Sequence, residues 1–330
     1  MRFASRRMRV AMATVVLASI GAMAPAVPAL AQYAYIANQG SDSVSVLNLS
    51  TGAVISTLTT GAGVKQPGIA LSPDGTKAYF ANGPQNSVTI VTLATGAIST
   101  PIPVGKTASN IALSPDGGTA YVTNAGDGTV SVVNTASGTV AATLTVGAGP
   151  DGVAVTPDGS KAVIANGGTN TVSVITTSTH AVSAPITVGT APCGVAVSPD
   201  SSKAFVTNSG LGTVSIINLA TNTVISTLTV GSAPCGVAVS PDGTKAYSAD
   251  AGDGTVDEIT IATLAVTSSF SVGNAPRSIS ISPDGSKLYV PNSGFAPGQA
   301  YVTIVPTTGS SPVLSTVALN RSAGRFGNFG

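Results

Sequence analysis

The chain has 330 residues, of which only 8% are charged, against roughly a quarter in ordinary soluble domains. Aromatics make up 4%, Trp is absent, and Gly (38) and Pro (21) are abundant. So little charge excludes a charge-driven disordered tail, a coiled coil and a strongly basic nucleic-acid binder. One His and two Cys exclude the usual His-rich or Cys-rich metal sites.

Residues 1–31 stand apart from the rest. Arg2, Arg6, Arg7 and Arg9 form a basic start, an uncharged stretch follows from Val10, and Ala29-Leu30-Ala31 gives an A-x-A cleavage signature before Gln32. That order predicts a secretory signal peptide over 1–31. A retained membrane helix is the rival reading, because Val10–Ala31 is long enough to span. Pro25, Pro28 and the small residues at the end favour cleavage. The segment holds four of the 14 basic residues and no acids, so the mature chain has 10 basic and 13 acidic residues, a net of −3. Nothing after it is long and apolar enough to span, so the expectation is a secreted or periplasmic protein, free or associated with the cell surface.

The rest of the chain is organised by a repeat of 42 residues. Ser72-Pro73-Asp74-Gly75 recurs at Ser114, Thr156, Ser198 (as S-P-D-S), Ser240 and Ser282. A second signature follows each copy: Tyr79 to Asn82, Tyr121 to Asn124, Val163 to Asn166, Phe205 to Asn208, Tyr247 to Asp250 and Tyr289 to Asn292. Tyr35-Ile36-Ala37-Asn38 is a seventh copy, without S-P-D-G before it. Seven copies fill 32–330 and leave no room for a second domain.

Each unit reads as four short strands. After Cys193 come a β-rich run to Ser198, a turn at Pro199-Asp200, a strand from Lys203, a loop from Asn208, a strand from Thr213, a turn at Ala220–Thr223 and a strand from Val224. Val, Ile and Thr dominate, and helix-length amphipathic patterns are missing. Four strands per repeat of this length predict a β-propeller blade. The fold class is therefore all-β: a seven-bladed propeller with four antiparallel strands per blade. Tyr33 onward supplies three strands of blade 1. Ring closure predicts the fourth, innermost strand from the C-terminus near Arg325–Gly330, so that both termini close one blade. Its sequence, Arg-Phe-Gly-Asn-Phe-Gly, matches Gly-Val-Ala-Val poorly.

Tyr121-Val122-Thr123-Asn124, the S-P-D-G turns and Thr129-Val130-Ser131-Val132 resemble the YVTN repeat of seven-bladed propellers, over residues 33–319. That family includes archaeal surface-layer proteins and exported bacterial proteins. The resemblance implies a cell-envelope or cell-surface role. The G-H and W-D dipeptides of WD40 repeats and the Trp residues of quinoprotein propellers are absent from the sequence.

Residues present in every blade read as scaffold. Asp74, Asp116, Asp158, Asp200, Asp242 and Asp284 are turn residues that bind local amides. The Y-V-T-N asparagines are expected to hold the following loop. Function is expected where the repeats disagree. Just before each innermost strand the aligned position reads Pro67, Ser109, Asp151, Cys193, Cys235 and Arg277. In a propeller these face one channel mouth, where Asp151 and Arg277 could orient a small polar ligand. Cys193 and Cys235, both in Ala-Pro-Cys-Gly and one repeat apart, are expected to pair as a disulfide in an oxidising compartment. His180, the only His, falls in the turn of the outer strands, on the opposite face from the cysteines, and reads as an exposed turn residue. Asp250, Asp253, Asp257 and Glu258 in blade 6 are a weak Ca²⁺ candidate without the full D-x-D-x-D-G spacing. The longer loop Ser293–Ala300 in blade 7 reaches toward the channel mouth.

Three functions from different classes follow. A non-enzymatic exported scaffold that binds a protein, glycan or small molecule at one face fits the weakly charged, regular blades. A lactonase-like hydrolase is implied because some seven-bladed lactonases resemble this repeat, yet the inventory is one His, one Glu and three Arg after the leader. Single-stranded DNA binding is implied by an enterobacterial periplasmic propeller similar to this family, but a net of −3 without Trp disfavours nucleic acid. The scaffold is the leading reading, with no cofactor, no resident metal and a monomeric state expected.

Overall fold

The computed structural model describes residues 13–17, 33–38, 43–48, 51, 53–59, 68–293, 300–307 and 315–319. They form seven antiparallel sheets, one per repeat, arranged as a β-propeller. Blade 5 shows the pattern, with strands Pro192–Val197, Lys203–Asn208, Thr213–Asn218 and Thr223–Thr229 running outward from the hub. The two middle strands pair in unbroken register from Lys203↔Asn218 to Asn208↔Thr213.

Burial follows position in the blade. Ala204 to Asn208 is buried without interruption, because both faces of a middle strand are covered by neighbouring blades. Thr223–Thr229 instead alternates between exposed and half-buried residues, as a rim strand with one covered face should. The apolar core is accordingly a set of layers between blades. Val163, Val172, Val174, Ala204, Val206 and Ile217 pack between blades 4 and 5. Phe205, Val214, Ile216, Ala246, Ile259 and Ile261 do so between blades 5 and 6.

The S-P-D-G turns hold as predicted and for the predicted reason. Asp200 Oδ1 accepts the Ser198 hydroxyl at 2.5 Å and the Ser202 N–H at 3.0 Å. These bonds hold its carboxyl down to about 2. The glycines of these turns lie near φ +70°, and a Cβ on Gly117, Gly159, Gly243 or Gly285 would meet the proline of the preceding turn.

Blade 1 corrects the closure expected from sequence. Its innermost strand is Ala13–Leu17, antiparallel to Tyr33–Asn38 from Ala13↔Asn38 to Leu17↔Ala34. The C-terminus does not supply it: the last described strand, Ser315–Leu319, is the outer strand of blade 7, and 325–330 lie outside the described residues. The physical reason is composition. Ala-Thr-Val-Val-Leu is uncharged and branched, like the other inner strands, whereas Arg-Phe-Gly-Asn-Phe-Gly is not. Among the described residues no helix is long and apolar enough to cross a membrane.

Candidate functional site at the inner-strand bulges

Four of the six variable ring residues lie within the innermost strands rather than in the loops before them, which corrects the sequence placement for those four. Ser109, Asp151, Cys193 and Cys235 are each the second residue of Ala108–Leu113, Pro150–Val155, Pro192–Val197 and Pro234–Val239. At each of these points the ladder to the second strand slips: between Ala108 and Asn110, Pro150 and Val153, Pro192 and Val195, and Pro234 and Gly236. A bulge frees its residue from pairing and re-aims the side chain. The sequence signal was the constant Pro and Gly flanking the variable residue in three of these strands.

Inner strands of adjacent blades meet at these bulges with little room. A Cβ on Gly152 would strike the Cys193 carbonyl oxygen, and one on Gly194 would strike that of Cys235. Hydroxyls stitch the junctions. Ser109 Oγ donates to the Pro150 carbonyl at 3.0 Å, Thr123 Oγ1 to that of Asp151 at 2.8 Å, and Thr207 Oγ1 to that of Cys235 at 2.9 Å.

Cys193 and Cys235 form a disulfide between blades 5 and 6, with Cα atoms 5.3 Å apart. Asp151 Oδ2 lies 3.6 Å from Cys193 Sγ. Desolvation among the crowded inner strands raises the Asp151 carboxyl above its ordinary range. Arg277 is exposed and precedes the short inner strand Ser280–Ile281 of blade 7. Pro67 and the loop 294–299 lie outside the described residues.

The Ca²⁺ candidate of blade 6 is dispersed. Asp257 and Glu258 are successive residues of Thr255–Thr260 and point to opposite faces. Glu258 pairs with Lys245 at 2.9 Å. Asp253 Oδ2 accepts the Ser232 N–H at 2.6 Å, the same bond that Asp127 makes to Lys106 N–H three blades earlier. Among the described residues no three His, Cys, Asp or Glu side chains gather to hold a metal ion.

Asp250 and Asp257 carry a feature that sequence reading missed. Elsewhere the Y-V-T-N asparagine donates across to the third strand rather than to the following loop: Asn124 Nδ2 to Ser131 Oγ at 2.9 Å, Asn166 to Ser173 at 3.0 Å, and Asn208 to Ser215 at 2.9 Å. In blade 6 both partners are carboxyls, Asp250 and Asp257, and both are buried. Desolvation, then the nearby Asp257 charge, pushes Asp250 up to about 8. Aligned repeats show Asp250 in place of Asn and Asp257 in place of Ser, but not that these two positions bond one another in the other blades. His180 caps the turn between the outer strands of blade 4, half-buried at φ 59°, at the end of the blade away from the cysteines.

The chain is similar to solved propellers. It resembles the structure described as Kuenenia stuttgartiensis hydrazine synthase at 23% identity and TM-score 0.73, over 84% of this chain and 92% of that one. It also resembles a functionally unknown protein from Desulfotomaculum acetoxidans DSM 771 at 16% identity and TM-score 0.74, over 88% and 97%. These likenesses are of fold. No family model and no curated protein matches the chain.

Proposed function

We propose that the protein is an exported, non-enzymatic propeller of the YVTN type that binds a partner at the bulged mouth of its channel. One observation carries this reading: the chemically varied residues Ser109, Asp151, Cys193 and Cys235 share bulged positions at one end of the inner strands, while the repeated polar residues are spent on turns and cross-strand bonds. A rigid wheel with one varied mouth suits recognition, since loops and concave faces on a stiff scaffold carry ligands at little ordering cost. The partner class is a protein, glycan or small polar ligand of the cell envelope.

A thermal-shift screen of the purified protein against lactones, glycans, single-stranded DNA and divalent cations tests this. The expected result is a saturable rise in melting temperature that Arg277→Ala or Asp151→Ser removes without lowering the ligand-free melt. Saturable turnover of a lactone would replace this reading with a hydrolase. Binding that weakens steeply with salt and is specific to DNA would replace it with the nucleic-acid one.

A further inference from the structure

We propose that Cys193 and Cys235 form an exchangeable cystine at this mouth, with Asp151 as its proton donor and small thiols or dithiols as its reactants. Three successive blades present Asp151, Cys193 and Cys235 at equivalent bulged positions, and the carboxyl of the first lies 3.6 Å from the sulfur of the second. Both cysteines are half-buried, so the sulfurs line the mouth without being sealed into a core.

The bond is not the junction's only tie. Thr207 Oγ1 already ties blade 5 to the Cys235 carbonyl at 2.9 Å. The equivalent junction of blades 3 and 4 is held by Thr123 Oγ1 on the Asp151 carbonyl at 2.8 Å, with no cystine. A staple added to a junction that its hydroxyl already secures points to chemistry at the sulfurs.

The exchange balances as follows. An external thiolate attacks Cys235 Sγ, forming a mixed disulfide, and the electron pair of the broken S–S bond leaves on Cys193 Sγ. Asp151 passes its proton to that thiolate, leaving Cys193 as a thiol and Asp151 as a carboxylate. A second external thiolate attacks the outer sulfur of the mixed disulfide, releases an oxidised dimer of the reactant, and Cys235 takes a proton from water. Two thiols are oxidised and one protein cystine is reduced. A protonated leaving thiol is the better leaving group, which is why a carboxyl belongs at this sulfur. Burial supports the role by keeping Asp151 protonated at a pH where an exposed Asp has ionised. Among the described residues, the other charged groups at this end of the inner strands are Arg277, which is exposed, Lys106, which pairs with Asp127 at 3.9 Å, the loop carboxylates Asp127 and Asp253, each accepting a backbone N–H, and the buried Asp250 and Asp257, the second of which accepts the Gly231 N–H.

The test is reduction of the purified full chain by reduced glutathione, quenched by alkylation at timed intervals and read by mass. Wild type should react at least about tenfold faster than Asp151→Asn and Asp151→Ser. The gap should be widest at acid pH and close as pH rises and Asp151 loses its proton. The trapped mixed disulfide should map to Cys235. Equal rates in wild type and both Asp151 variants across pH would overturn the proposal, and so would a trapped mixed disulfide that maps to Cys193.

Discussion

At the scale of single residues, the repeat exposes strain that one copy alone would hide. The residue just before the fourth strand in five blades reads Gly96, Gly138, His180, Asn222 and Leu264, all with positive φ between 48° and 69°. Glycine takes this left-handed geometry freely, whereas a side chain with a Cβ costs about 1 kcal/mol there. Leu264 regains some of that by packing against the layer between blades 5 and 6. His180 has no such core contact among the described clusters. His180→Gly should therefore raise stability by about 1 kcal/mol in chemical denaturation, with m unchanged, and leave partner binding intact. A loss of binding on that substitution would bring the histidine back as a functional group.

At the scale of the element, blade 6 departs from its siblings by a paired change. Asn and Ser become Asp250 and Asp257, so the amide-to-hydroxyl bond of the other blades gives way to two buried carboxyls on neighbouring strands. The folded protein holds a proton on Asp250 up to about pH 8, whereas the unfolded chain releases it near 3.8. Between those values the native state binds more protons, so stability falls as pH rises, by at most about 1.4 kcal/mol per pH unit, and levels off above 8. Asp250→Asn should remove this slope: little change at pH 4, and a melting temperature increasingly above wild type as the pH approaches 8. Parallel pH–stability curves for the two proteins would show that the carboxyl pair is solvated instead.

The inner strands set a second constraint at this scale. Gly152 faces the Cys193 carbonyl oxygen and, at 3.1 Å from a would-be Cβ, the Val195 nitrogen, both backbone atoms of the next blade. Gly152→Ala should cost on the order of 3 kcal/mol, read as a lower denaturation midpoint, because neither atom can move without parting two blades. How far the sequence foretold these elements depends on the interaction involved. Turns and middle strands were legible because their causes are local: Pro before Asp, Gly at positive φ, runs of Val and Ile. The bulges were not, because they arise where inner strands of different blades crowd one axis. The closeness of the Asp250 and Asp257 charges was not, because it joins residues of two strands whose register the sequence does not state. The cystine was legible from its one-repeat spacing, and so was the place of Asp151 one repeat before Cys193, but not the approach of its carboxyl to the sulfur.

At the scale of the whole molecule, the decisive question is what completes the hub. Six inner strands come from the repeats, and the seventh is Ala13–Leu17, from the segment that reads as a secretory leader. Those five residues cannot both leave with a cleaved leader and remain in blade 1. If cleavage occurs before Gln32, the inner edge of Tyr33–Asn38 is left with unpaired N–H and C=O groups facing the axis, a template for strand addition. A chain beginning at Gln32 should then melt several degrees below the full chain, corresponding to roughly 2 kcal/mol or more in a domain of this size. A synthetic peptide spanning residues 11–19, added in trans, should restore part of that loss in a saturable way, because β-augmentation repays the missing backbone bonds. The same peptide should leave the full chain unaffected, since its slot is occupied. Equal melts for the two chains, with no response to peptide, would mean that another segment fills the slot once the leader is gone. The C-terminal residues 320–330 would then be the ones to delete next.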